Sequence, residues 1–150
     1  MAEGKDRRVI ILSIYPKYVH AILQGRKLVE FRKNGVPTDI DYILFYSTSP
    51  DQAILGYASV KECVIASPAQ LWEEFGDMGQ IDHEAYKQYF LGYQMGKCYL
   101  LGTPCALQNS ISISEIGMPM PPQSFAYIKH SVWSRIRKRK LTNRWQLCAI

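Results

Sequence analysis

The segment Gly25-Arg26-Lys27-Leu28-Val29-Glu30-Phe31-Arg32 constrains the fold more than any other stretch of this 150-residue chain. A glycine ends a short helical pattern there, and Lys27, Glu30 and Arg32 then enter a run whose Leu28, Val29 and Phe31 belong in a strand. Strand propensity does not ask for those charges. A regular strand over residues 27–33 sets Lys27, Val29 and Phe31 on one side and Leu28, Glu30 and Arg32 on the other. Lys27 then points away from its charged neighbours unless a bulge or a twisted start after Gly25 turns it back. A functional site is expected at this strand.

The flanking patterns predict the frame. Residues 8–14 form a β-branched, apolar run that reads as a buried strand, and Pro16 suits the first turn of a helix carrying Val19, Ile22 and Leu23. Residues 41–47 and 53–60 read as successive strands across Ser49-Pro50-Asp51, with Gly56 marking a bulge or a close backbone approach. Ser67 caps an amphipathic helix through Leu71, Trp72 and Phe75, and Asp82 caps another bearing Tyr86, Tyr89 and Phe90. Strand character resumes over residues 97–102, 105–113 and 124–128. Strands outnumber helices and most can be antiparallel neighbours. The class is therefore α+β, mainly β: a small closed or nearly closed barrel with short helices at its rim.

Near the end, Ser131 is a candidate cap for a helix through Val132, Trp133 and Ile136 into the basic run Arg137-Lys138-Arg139-Lys140. Trp145, Leu147, Cys148 and Ile150 are too apolar for a free tail and are expected to dock on the barrel or on another subunit. Residues 1–128 are read as one domain and residues 129–150 as a basic extension packed on it.

Charge is unevenly distributed. Residues 1–38 hold eight Lys and Arg against three Asp and Glu, residues 39–128 three against ten, and residues 129–150 seven against none. Either the basic ends lie over the acidic middle, or they form a basic face for phosphate-bearing partners. No apolar run approaches the roughly 20 residues that cross a bilayer, and the polar N-terminus is no signal segment. The expectation is a cytoplasmic protein without a membrane span. Cys63, Cys98, Cys105 and Cys148 are scattered, as are His20, His83 and His130, so neither a metal site nor a disulfide framework is signalled and no cofactor is expected.

Gly25, Lys27, Glu30 and Arg32, with Ser13-Ile14-Tyr15-Pro16 before them and Pro121-Pro122-Gln123-Ser124-Phe125 downstream, resemble the ASCH family over about residues 9–128. That resemblance implies a PUA-like barrel and a cleft for RNA or a nucleotide-like ligand beside the charged strand. The residue types suit such a ligand on their own. A lysine and an arginine can neutralise phosphate, while a glutamate orients the arginine or accepts from a base amine. Tyr15, Tyr18, Tyr42, Tyr46 and Tyr57 are candidates for stacking on bases. The residues expected to bind nucleic acid are Lys27, Glu30, Arg32, Tyr15, Tyr46 and Ser124, joined by Arg137, Lys138, Arg139 and Lys140. An ion pair that fixes register, without binding, is the structural alternative for Glu30 and Arg32.

The resemblance also implies alternatives to a binding module. Ribonuclease activity is attributed to the wider family, and a subgroup of amidohydrolases acts on modified cytidine. In that subgroup a threonine nucleophile stands three residues after the lysine, where this chain has Glu30. A hydrolase built here would use Lys27 and Glu30 as catalytic residues: Glu30 as general base, Lys27 and Arg32 against developing negative charge, with Ser124 a more distant hydroxyl donor. A third possibility is a coactivator-like protein-interaction module whose contact surface is the acidic helices of residues 67–92 and the apolar C-terminal segment.

Overall fold

Strand β1 (Val9–Ile14) is buried along nearly its whole length, and its two faces serve different cores. Ile10, Leu12 and Ile14 pack with Val19 and Ile22 of helix α1 (Pro16–Leu23), whereas Val9 and Ile11 join Trp133 of helix α4 (His130–Ile136) on the opposite face. The sheet is thus covered on both sides, which is why β1 carries no polar alternation. The computed structural model describes residues 7–33 and 35–142.

The remaining elements are β2 (Val29–Arg32), β3 (Tyr42–Ser47), β4 (Ala53–Ala66), α2 (Pro68–Phe75), α3 (His83–Tyr89), β5 (Gly96–Leu101), β6 (Cys105–Ile111) and β7 (Phe125–Ile128). Short 3-10 turns lie at Gly76–Met78 and Ile113–Ile116. The strands order as β2-β5-β4-β3-β1-β7, with β6 also paired to β4. β1 and β3 run parallel, and the other pairs are antiparallel. The fold is α+β and mostly strand, as the pattern predicts.

β4 is longer than expected, because the chain continues through Lys61 and Glu62 to Ala66. Its first half pairs with β3 and β6 and its second half with β5, with a register shift between Val60 and Glu62. Such a bulged, bent strand curls a sheet. Gly56 fulfils both expectations: the ladder to β6 shifts register beside it, and a Cβ there would stand 2.5 Å from the Cys105 carbonyl oxygen. The result is a half-barrel, because β2 ends the sheet and shares no ladder with β1. Across that open seam Arg32 Nη2 donates to the Ser13 carbonyl at 2.8 Å.

Capping follows the sequence at α2 and α3, where Ser67 accepts from the Gln70 amide and Asp82 from the Ala85 amide. α4 differs. It starts at His130 with Lys129 at the N-cap and no side-chain cap, so Ser131 lies inside the helix. It also stops at Ile136, and the basic run follows it instead of continuing it. The chain leaves the helix to meet β6: the Gln108 amide donates to the Lys140 carbonyl, the Thr142 amide to the Ala106 carbonyl, and Leu107 bridges Leu141. A continued helix would withhold those backbone groups. Val132, Trp133 and Ile136 are buried against the sheet. The docking expected of Trp145, Leu147, Cys148 and Ile150 lies outside the described residues. No helix among the described residues is long and apolar enough to cross a membrane.

A candidate nucleotide cleft at the open seam

Gly25 ends α1 with φ +78°, the left-handed conformation that glycine adopts without steric penalty. The chain then turns so tightly that the amides of both Arg26 and Lys27 donate to the Ala21 carbonyl, at 2.9 and 3.1 Å. The Leu28 amide pairs with the Met78 carbonyl, and β2 begins only at Val29. Lys27 therefore sits outside the strand alternation and turns into the same hollow as Glu30 and Arg32. Within β2, Val29 and Phe31 pack in a third core with Leu71, Phe75 and Tyr86 of α2 and α3, while Glu30 and Arg32 line the hollow, whose wall Phe31 also reaches.

The three charges form a chain. Lys27 Nζ lies 3.6 Å from Glu30 Oε1, and Arg32 Nε donates to Glu30 Oε2 at 3.1 Å. Lys27 also donates to the Gly79 carbonyl at 2.5 Å and lies 5.0 Å from the Tyr18 ring centroid. Lys27 is 3% exposed and Glu30 7%. Burial pushes the Lys27 pKa below its ordinary 10.5; the Glu30 carboxylate pulls it up, and the loss of hydration wins.

These side chains line a cavity of about 290 Å³, together with Ser13, Tyr15, Tyr18, Thr48, Tyr89 and Gln123 among others. That volume lies near the small end of ligand sites. Tyr15 is 67% exposed and stands at the mouth. The Tyr89 hydroxyl accepts from the Lys33 amide at 3.2 Å, and burial raises its pKa. The arrangement offers two cations, a carboxylate and aromatic walls to a single occupant.

Other expected residues are elsewhere. Tyr46 is buried in the α4-side core with Leu44 and Ile54, since β3 turns it to the sheet face away from the cavity. Tyr42 and Tyr57 pack on Trp133, with ring centroids 4.6 and 5.1 Å from it. Ser124 contributes its backbone: its carbonyl accepts from the Ser13 amide at 3.1 Å, and its neighbour Gln123 lines the cavity. None of Arg137, Lys138, Arg139 and Lys140 lines it. They follow α4, which covers the opposite sheet face; Arg139 pairs with Glu115 at 3.1 Å and Arg137 lies 5.9 Å from the Trp133 ring centroid. The ends-over-middle reading of the charges is met at the pair of Arg139 and Glu115.

Tyr89, Gln123 and Thr48 line the cavity without a local pattern that marks them as site residues. Gln123 stands in the Pro121-Pro122-Gln123-Ser124 string beside the Ser124 hydroxyl, but helical spacing says nothing of which cleft Tyr89 reaches. Cys63, Cys98 and Cys105 are free thiols; burial pushes Cys98 up to about 12, so it packs as a small apolar group. Cys148 lies outside the described residues.

Comparison with known proteins agrees with this architecture. The ASCH domain model matches residues 12–101. An ASCH domain-containing ribonuclease of Zymomonas mobilis is 29% identical over 133 residues, covering 86% of this chain and 90% of that protein. The crystal structure of ASCH from Zymomonas mobilis superimposes with a TM-score of 0.79 at 26% identity, covering 91% of this chain and 98% of that one. The large ribosomal subunit protein uL22 of Ureaplasma parvum is 23% identical over 128 residues, 85% of this chain but only 41% of that protein. The half-barrel, its buried Lys27-Glu30-Arg32 chain and the family match together establish that this chain belongs to the ASCH domain family, with a PUA-like fold.

Proposed function

We propose that this protein binds single-stranded RNA with one nucleotide seated in the cleft, and cleaves it there. The observation that carries the reading is the Lys27-Glu30-Arg32 chain, buried at the floor of a cavity with tyrosines at its wall and mouth. Glu30 is the general base, taking a proton from water or from a ribose 2′-hydroxyl as that oxygen bonds to phosphorus; the P–O bond to the adjoining nucleotide breaks, and the leaving oxygen takes a proton from water. Lys27 and Arg32 neutralise the charge that develops on the phosphate oxygens, where a water-poor site makes each contact stronger. Tyr15 and Tyr18 hold the base, and the basic residues 129–150 form an appended extension that attracts the RNA backbone without sequence preference. A relative named as a ribonuclease and another named as a ribosomal subunit protein support RNA as the substrate class.

A binding-only role has one observation in its favour: the Lys27 ammonium already donates to Gly79, and both Glu30 oxygens face cations, as in a rigid recognition surface. Incubating end-labelled single-stranded RNA with wild type, Lys27→Ala and Glu30→Gln separates the readings. The cleavage reading expects product with wild type and a loss of about 100-fold or more in both variants. Tight, Lys27-dependent binding without product would leave recognition alone. Equal RNA binding by all three proteins at low and high salt, with equal product or none, would remove the cleft from either role.

A further inference from the structure

We infer that Lys33, held between Tyr89 and Tyr93, forms a second subsite for the phosphate of the nucleotide adjoining the one in the cleft. This rests on the reading of the cleft as a nucleotide site and extends it by one position.

Tyr89 is the shared wall. It lines the cavity of Lys27 and Arg32, while the Lys33 ammonium lies 4.4 Å from its ring centroid and 5.0 Å from that of Tyr93. The Lys33 amide also donates to the Tyr89 hydroxyl, which fixes the lysine's backbone to the same ring. Two aromatic faces restrict a side chain that otherwise loses much rotamer freedom on binding. Among the described residues no carboxylate pairs with Lys33, so its charge is positioned but not neutralised. A nucleic-acid strand leaving the cleft past Tyr89 meets this ammonium first.

The loop beyond α3 suits the same strand. Tyr93 is 42% exposed, and Leu91 and Met95 beside it are 72% and 43% exposed. An exposed aromatic ring such as Tyr93 beside a fixed cation can carry the face of a base, while the cation takes its phosphate. The two cationic positions differ in character: the cleft holds its charges dry and cross-paired, and the second subsite holds one in partial contact with solvent.

The test titrates wild type, Lys33→Ala, Lys33→Arg and Lys27→Ala with the four nucleoside 5′-monophosphates and with single-stranded ribohexamers, at two salt concentrations. For Lys33→Ala the expected result is hexamer affinity lower by about tenfold, with a salt slope shallower by about 0.7, the share of one phosphate. Monophosphate affinity should move less than about twofold, and Lys33→Arg should restore hexamer binding. Hexamer binding that falls with Lys27→Ala but is unchanged in affinity and slope with Lys33→Ala overturns the second subsite alone. Absence of monophosphate and hexamer binding by wild type overturns the cleft reading and the subsite with it.

Discussion

Two basic regions of this molecule carry their charge in opposite ways. Lys27 and Arg32 are drawn out of water, each joined to Glu30 and to a backbone carbonyl, and face a hollow. Arg137, Lys138, Arg139 and Lys140 are exposed after α4, and the contact of Arg139 is with a carboxylate that is itself largely in solvent. Formal charge favours the C-terminal run, yet geometry favours the pair. A desolvated, cross-linked cation acts on a ligand at a fixed point, whereas a solvated one contributes a diffuse field that salt erases.

The strongest way to break this contrast is at Glu30. Glu30→Ala leaves the buried Lys27 and the partly buried Arg32 facing each other without their carboxylate, and should cost about 3–5 kcal/mol of stability in a denaturant titration. A loss no larger than that of a surface substitution would mean that the cleft is wetter than its burial implies.

Next in size is the titration of Lys27. Its native pKa lies below 10.5, so between the two values the unfolded chain holds a proton that the native protein has released. Stability at this position therefore rises with pH across that window, and the burial penalty is fully present below the native pKa. Comparing wild type with Lys27→Met, which keeps the packing and removes the titration, should show the difference moving in favour of wild type as pH climbs. A difference flat in pH would place the ammonium in water.

The smallest effect belongs to the C-terminal run. Replacing Arg137, Lys138 and Lys140 by Gln should leave the unfolding midpoint almost unchanged and weaken all RNA sequences alike, with the salt slope reduced by about 0.7 for each lost phosphate contact. Sequence-selective weakening would promote these residues to direct readers of bases and erase the contrast.

How far the residues announce this can be seen at particular positions. Gly25, Glu30 and Arg32 were legible because a turn glycine and charges in a strand contradict local propensity. The strand spans near β1, β3, β5 and β7 followed from apolar runs and turn residues. The inward turn of Lys27 did not: it depends on two amides sharing the Ala21 carbonyl, which delays β2 to Val29. Tyr46 and Tyr18 have the same residue type and opposite fates, because face assignment on β3 and α1 is settled by what packs behind them. Tyr89 reaches the cleft from a helix 56 residues beyond Lys33, a proximity that only the folded topology provides.

Arg32 joins both themes. The guanidinium that an incoming anion would engage is also the clasp across the unpaired side of the half-barrel, through its bond to the Ser13 carbonyl. A ligand that tugs on that side chain competes with the clasp, so filling the hollow and tightening the margin between β2 and β1 become a single mechanical variable.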